Sequence, residues 1–206
     1  NSPSGNTVNA ASGVVLARYE VKAFGESMKI ENLSFRIDED DADTTYTLRN
    51  GAIFLDGAQI GSTAALAGDT DATQAYTNYT FGSSAIVTPG TTRILEVRGD
   101  IYNSDGSNDI VADDTIQVEI VTGSSNVQRL TSLGYGPYPA AVVAANTLTV
   151  ATGALTVAKD TSYANNTTTV PKSNYLVGRY NIQANTTESA NITSIVVDFD
   201  EDADAF

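Results

Sequence analysis

The residues of this chain best suited to chemistry are clustered carboxylates. Five acidic side chains lie within six residues after an apolar strand pattern, and a similar group recurs near the end of the chain. Carboxylates at this spacing repel one another unless solvent or a cation neutralises them, and calcium prefers such oxygen ligands. The pattern predicts two calcium-binding turns, with a solvated acidic turn as the alternative. The candidate ligands are Asp38, Glu39, Asp40, Asp41 and Asp43, and then Asp200, Glu201, Asp202 and Asp204.

A third acidic segment lies in the middle of the chain. Its Asn-Ser-Asp-Gly core, residues 103–106, resembles the alternating oxygen ligands and glycine turn of a calcium loop. No glutamate stands at the closing position of an EF-hand, so solvated surface charge is again the alternative. The predicted ligands in this segment are Asp100, Asn103, Asp105, Asn108 and Asp109.

His and Cys are both absent from the 206 residues. These residues supply the usual nitrogen and sulfur metal ligands and the common nucleophiles and general bases. A carboxylate pair, a Ser–Lys arrangement or an oxygen-held metal would still be available. The best carboxylate pair, Glu96 and Asp114, has no support beyond its acidity. We therefore expect that the protein is not an enzyme.

The charge of the chain restricts its partners. A net charge of −14 repels nucleic acid and anionic lipid, so we expect neither as a partner. No run of about 18 apolar residues is present, so no membrane insertion is expected. No charged-then-apolar leader opens the chain, and an export signal is expected to have been removed or to lie outside it.

An internal repeat organises the chain. Residues 16–43 and 177–204 share an Arg-Tyr pair, a glutamate, a series of apolar positions and the acidic turn. Arg18 and Tyr19 lie 161 residues before Arg179 and Tyr180. From Glu26 onward, after one inserted residue, the offset is 162. The aligned positions are Glu26, Ile30, Leu33, Phe35 and Ile37 in the first copy, and Glu188, Ile192, Ile195, Val197 and Phe199 in the second.

The repeat predicts the domain organisation. Residues 1–13 would be an N-terminal linker or edge segment, 14–164 a β-sandwich repeat unit, and 165–174 a linker. Residues 175–206 would be the first strands of a second repeat, or donor strands for a neighbouring subunit.

Alternation of apolar and polar residues from Val15 to Ala23 predicts a half-buried strand, and residues 30–37 repeat the pattern. Asn50-Gly51 and Asp56-Gly57 are type I′ hairpin signals. Further strands are predicted at 73–81, 92–101, 115–122, 127–131 and 147–157, the last folded at Thr152-Gly153. The one helical candidate, 139–145, is short. The predicted fold is an all-β, Ig-like antiparallel β-sandwich unit followed by two strands of the next unit.

The succession LARYEVKAFGESMKIENLSFRI, GAIFLDGAQIGS, VTPGTTRILEVRGDI, ADDTIQVEIV and NTLTVATGALTVAKD resembles the long tandem-repeat surface proteins of candidate-phyla-radiation (Patescibacteria) bacteria. Each Ig-like repeat of those proteins carries a strand pair ending in an acidic turn, a short hairpin, and a strand with a Thr-Thr pair near its start. The resemblance covers nearly the whole chain. It implies an extracellular, surface-layer-like scaffold with no catalytic residues to carry over.

Two further kinds of surface feature are predicted. Acceptor sites for N-glycosylation, which would make a glycan a partner, occur at Asn32, Asn78, Asn165, Asn166, Asn185 and Asn191. Tyr135 and Tyr138 in a Gly-Tyr-Gly-Pro-Tyr-Pro segment predict a rigid contact loop, although a chain without Trp is poorly supplied for carbohydrate stacking.

Two classes of function follow. The first is a structural protein of the cell surface that assembles with copies of itself, or with adjacent repeats, into a surface layer or extracellular filament stiffened by calcium. The alternative is a secreted adhesin or carbohydrate-binding module.

The calcium hypothesis predicts a stability change. Because a cation that binds only the native state stabilises it by mass action, calcium should raise the midpoint of thermal unfolding and a chelator should reverse the effect. Scanning calorimetry with and without calcium measures this. An unchanged midpoint would reduce the acidic clusters to surface charge.

Overall fold

The computed structural model describes residues 1–38, 46–69, 75–164, 168–169, 171–184 and 189–198. The chain divides into two compact units, Asn1–Thr152 and Gly153–Phe206, called unit 1 and unit 2 below. Every regular element in the described residues is a β-strand, which confirms the all-β prediction. Within those same ranges no helix is long and apolar enough to cross a membrane.

Unit 1 contains fifteen strands among its described residues. In chain order these are β1 (Gly5–Val8), β2 (Val14–Lys22), β3 (Met28–Ile30), β4 (Asn32–Asp38), β5 (Leu48–Leu55), β6 (Ala58–Leu66), β7 (Gly68–Asp69), β8 (Thr77–Thr80), β9 (Ile86–Val87), β10 (Thr92–Asn103), β11 (Thr115–Ile120), β12 (Val127–Arg129), β13 (Tyr135–Gly136), β14 (Val143–Ala144) and β15 (Leu148–Ala151).

The strands of unit 1 form three sheets. The largest has the order β1-β15-β11-β4-β7, with β14 also on β11 and β8 also on β4. The second has the order β2-β10-β5-β6, and the third β13-β12-β3-β9. The named pairings are antiparallel except for β1 with β15 and β4 with β7. Neighbours such as β2 and β10 are distant in sequence, as in Greek-key connections.

The alternation of residue types places one face of each main sheet in a common core. In β2, Ala17, Tyr19 and Val21 are buried while the intervening polar residues are exposed. In β4, Leu33 and Phe35 are buried on the same principle. These faces belong to a single apolar cluster that also includes β10, β5 and β11. The arrangement is β-sandwich-like, as predicted.

The two predicted hairpin turns have different outcomes. Asp56 and Gly57 both have positive φ and connect β5 to β6, with Leu55 paired to Ala58, which confirms this turn. The prediction of a hairpin at Asn50-Gly51 is wrong, because both residues lie inside β5 at an irregularity in its pairing with β6. The Asn50 side-chain amide donates to the Asp100 carboxylate instead, 2.7 Å away, so a tertiary contact holds this residue within the sheet.

Two predicted strands are divided. Residues 30–37 belong to β3 and β4 in different sheets, because Glu31 between them donates its N–H to Asn126 and accepts from Phe81. Residues 147–157 are shared between β15 of unit 1 and β16 of unit 2, and the division lies at the fold predicted at Thr152-Gly153. The short helical candidate at 139–145 contains strand β14.

Unit 2 contains a two-stranded antiparallel sheet of β16 (Leu155–Lys159) and β17 (Tyr180–Ala184). The division between the units lies after Thr152. The linker predicted at 165–174 lies partly outside the described residues and stays a prediction. Residues 189–198, which align with residues 27–36 and so with β3 and most of β4, form no regular strand.

Gly51 gives a direct test of the packing in unit 1. A Cβ atom there would lie 2.5 Å from Leu66 Cγ and 2.7 Å from the Ala64 carbonyl oxygen. Gly51→Ala should lower the free energy of unfolding by about 2 kcal/mol or more, because backbone must move to relieve the overlap. Urea unfolding followed by circular dichroism measures the change. Gly82→Ala, whose Cβ meets nothing within 4 Å, is the control and should change it by less than about 0.5 kcal/mol.

Candidate assembly surface

The first predicted calcium turn begins at the end of β4. Asp38 is the last residue of that strand, is exposed, and pairs with Gln117 of β11 and Asp69 of β7. The other predicted ligands of this turn, and all those of the second turn, lie outside the described residues: Glu39, Asp40, Asp41, Asp43, Asp200, Glu201, Asp202 and Asp204.

The middle acidic segment is only partly brought together. Asp100 is buried in β10, where its carboxylate accepts hydrogen bonds from the Gly13 N–H and from Asn50, and pairs with Arg49 at 3.2 Å. Burial raises the pKa of Asp100, but these contacts more than offset it, so the pKa lies below its ordinary value. Its oxygens therefore serve the β2-β10-β5 sheet and not the neighbouring loop.

The loop residues hold one another through short-range hydrogen bonds. The Asn103 side-chain oxygen accepts from the Asp105 N–H, and the Asp105 carboxylate accepts from the Ser107 N–H at 2.7 Å. Asn108 accepts from the Asn103 N–H, and Asp109 accepts from the Ser107 hydroxyl. In the part of the chain that the structure describes, no group of three acidic side chains is arranged to hold a metal. Calcium binding here stays a prediction.

The predicted glycosylation acceptors differ in exposure. Asn78 and Asn191 are exposed, whereas Asn32 is half-buried in β4. Asn165, Asn166 and Asn185 lie outside the described residues.

The two tyrosines of the predicted contact loop differ in burial. Tyr135 is 53% exposed, but Tyr138 packs against the core and burial raises its pKa. The Asn126 side chain accepts from the Tyr138 N–H and donates to its carbonyl, which fixes this part of the loop. Of the two loop tyrosines, Tyr135 is the one whose side chain is exposed.

Each of the acidic residues considered for catalysis binds other groups of unit 1. Glu96 is buried between Arg18 and Arg98, and its pKa lies below the ordinary value because Arg98 and then Arg18 donate hydrogen bonds to it, against the effect of burial. Asp114 accepts from the Val111 N–H at 2.7 Å.

The residues shared by both repeats have clear roles in unit 1. Arg18 on β2 donates to Glu96 on β10, with Nε 2.6 Å from Oε1. The buried Tyr19 hydroxyl donates to the Val118 carbonyl of β11 at 2.8 Å, and burial raises the pKa of this tyrosine. Each contact joins β2, at the start of the unit, to a strand in its second half.

Glu26, the third shared polar residue, makes the same kind of connection. Its carboxylate accepts from the Thr131 and Ser132 N–H groups and from the Ser132 hydroxyl at 2.7 to 2.8 Å. The Ser132 hydrogen bonds lower the pKa of Glu26. The repeat therefore preserves residues that bind the later strands and loops of a unit.

In unit 2 the corresponding apolar residues are exposed. Tyr19 is 9% exposed in unit 1, whereas Tyr180 is 64% exposed. Leu33 is 1% exposed, whereas Ile195 is 63% exposed. The same contrast holds for Val21 with Ile182, Ile30 with Ile192, and Phe35 with Val197.

Strand β16 extends this apolar surface. The tetrapeptide Leu-Thr-Val-Ala occurs at 148–151 and again at 155–158. Leu148 and Val150 are buried in unit 1, but Leu155 and Val157 are exposed in unit 2. With Ile182 on β17 and residues 192–198, they line an open groove of about 690 Å³. This duplicated tetrapeptide was the signal in the sequence for the contribution of β16 to the apolar surface.

Comparison with protein-family models, curated proteins and solved structures found no match to this chain. The structure defines an all-β protein with one sandwich-like unit whose core is filled, and a second unit in which the residues aligned by sequence with that core are exposed.

The contrast between the units predicts unequal effects of matched substitutions. Leu33→Ala should lower the free energy of unfolding of unit 1 by about 3 kcal/mol, because it leaves a cavity in a packed core. Ile195→Ala, at the aligned position, should change stability by less than about 0.5 kcal/mol. Urea unfolding of both variants measures the difference. Equal losses would contradict the exposure of Ile195.

Proposed function

We propose that this chain is a non-catalytic structural protein of the cell surface. In this proposal its units are Ig-like repeats that join, through repeat-to-repeat or strand-exchange contacts, into a surface layer or an extracellular filament. The observation that carries the proposal is the repeat itself: the positions that form the core of unit 1 are exposed in unit 2.

The exposed apolar surface of unit 2 favours association with another molecule. Contiguous exposed apolar surface on soluble proteins marks an interaction site, and burial stabilises by about 25 cal/mol per Å². The two strands of unit 2 form a small sheet, and a two-stranded sheet alone is marginally stable in water. A partner that covers this sheet would supply the missing stabilisation.

The remaining parts of the proposal have separate support. Extracellular placement is supported by the acidic composition, the absence of Cys and the resemblance to bacterial tandem-repeat surface proteins. Stiffening by calcium is supported by the recurrence of the acidic turn in both copies, at 38–43 and 200–204. The adhesin alternative has less support, because Tyr138, one of the two loop tyrosines that could contact a sugar, packs against the core.

Assembly through unit 2 predicts concentration-dependent self-association. Ile182→Asp should weaken association at least about tenfold, because a charge buried without a partner costs more than the apolar contact it replaces. Sedimentation velocity across a concentration series measures the change.

Leu133→Asp is the matched control, because Leu133 is 65% exposed on a loop of unit 1. It should leave association unchanged. A wild-type chain that stays monomeric at every concentration, or equal effects of the two variants, would contradict assembly through unit 2.

A further inference from the structure

The two edges of strand β2 have different partners in unit 1. Along a strand, the N–H and C=O groups of successive residues point to opposite edges. The Arg18 N–H donates to the Ser2 hydroxyl at 3.1 Å, on the edge away from β10. The backbone groups of Tyr19 and Val21 therefore form hydrogen bonds toward β10, where Tyr19 lies opposite Leu95.

A hydrogen bond on the far side of β10 leads to the same assignment of the edges of β2. The Asp56 N–H donates to the Ile94 carbonyl at 2.8 Å, so Ile94 bonds toward β5. By alternation, Leu95 bonds toward β2. The edge of β2 that binds β10 is thus the edge presented by Tyr19 and Val21.

In unit 2, β16 lies on the opposite edge of the aligned strand. The Asp160 N–H donates to the Arg179 carbonyl at 2.9 Å and continues the pairing of β16 with β17. Arg179, and by alternation Asn181 and Gln183, bond toward β16. Tyr180 and Ile182 present the other edge, and among the described residues of unit 2 no strand pairs with it.

The repeat identifies what this edge is built to bind. Arg18 and Tyr19 align with Arg179 and Tyr180, so the open edge of β17 corresponds to the edge of β2 that binds β10. Resting on the proposed function, we propose that the open edge accepts an antiparallel strand of the β10 type, followed by one of the β11 type, from a neighbouring repeat unit.

The chemistry of the partner strands follows from unit 1. A glutamate would lie opposite Arg179 and an apolar residue opposite Tyr180, as Glu96 and Leu95 do for the aligned residues of β2. The following strand would present a carbonyl to the Tyr180 hydroxyl, as Val118 does for Tyr19.

The present contacts of Arg179 leave room for such a partner. Its side chain is 57% exposed and Nη1 lies 3.7 Å from Asp160, which is longer than a hydrogen bond. In unit 1 the aligned arginine binds its glutamate at 2.6 Å. A strand with glutamate in that position would supply the shorter, charge-assisted contact.

A peptide of residues 92–120, which carries both β10 and β11, is the probe. It is added in excess to the full chain, at an ionic strength that screens the negative charge of both molecules. Amide hydrogen exchange is then followed residue by residue by NMR. Exchange at Tyr180 and Ile182 should slow by about tenfold or more, while Asn181 and Gln183, which bond toward β16, should change little.

Two variants act as controls. Ile182→Pro in the chain removes the N–H on the open edge and keeps those that bond toward β16, so it should abolish the effect of the peptide. Leu95→Pro in the peptide removes the N–H that would pair with β17 and should abolish it as well. Protection that persists with either variant would overturn the proposed register.

The result is separable from the test of assembly. Protection by the peptide would support the proposal even if the chain sedimented as a monomer. Self-association without any slowing of exchange at Tyr180 and Ile182, even at millimolar peptide, would overturn the proposal and leave assembly through unit 2 standing. Equal slowing at all four residues from 180 to 183 would show general stabilisation and would also overturn it.

Discussion

The pairing of β2 with β10 is the contact on which unit 1 depends. It places Tyr19 beneath β11 with its hydroxyl on the Val118 carbonyl, and it brings Glu96 between two arginines. β10 also pairs with β5, so the same strand positions both of its neighbours in one sheet. Because a sheet must bury its apolar face against another layer, loss of β10 would uncover the core.

That dependence explains the difference between the two units. Unit 2 repeats the residues that receive β10 and β11, but its described residues include no strand on the corresponding edge of β17. Its apolar side chains are consequently exposed where their counterparts are buried. Assembly would meet in one step the requirements that each strand edge be paired and each apolar face be covered.

Sequence reasoning reached the fold class and many of the strands, because alternation in segments such as β2 and β4 directly reflects which side chains point inward. It was wrong at Asn50-Gly51, where a tertiary hydrogen bond to Asp100 and close packing against Leu66 override a strong local turn signal. Burial and Arg49 hold the Asp100 carboxylate in the sheet, a contact that the sequence did not indicate, and calcium binding by the acidic segments stays a prediction.

The sequence by itself determined that the chain is all-β and that residues 16–43 recur at 177–204, since both follow from residue order alone. Only the tertiary structure decided which edge of β17 is occupied. That choice depends on which backbone N–H groups donate to which neighbouring strand. Residues that bond toward one edge alternate along the strand with residues that bond toward the other, so the sequence does not distinguish the two edges. The physical reason is that strand pairing joins residues far apart in sequence, so the local residue pattern does not identify the partner strand.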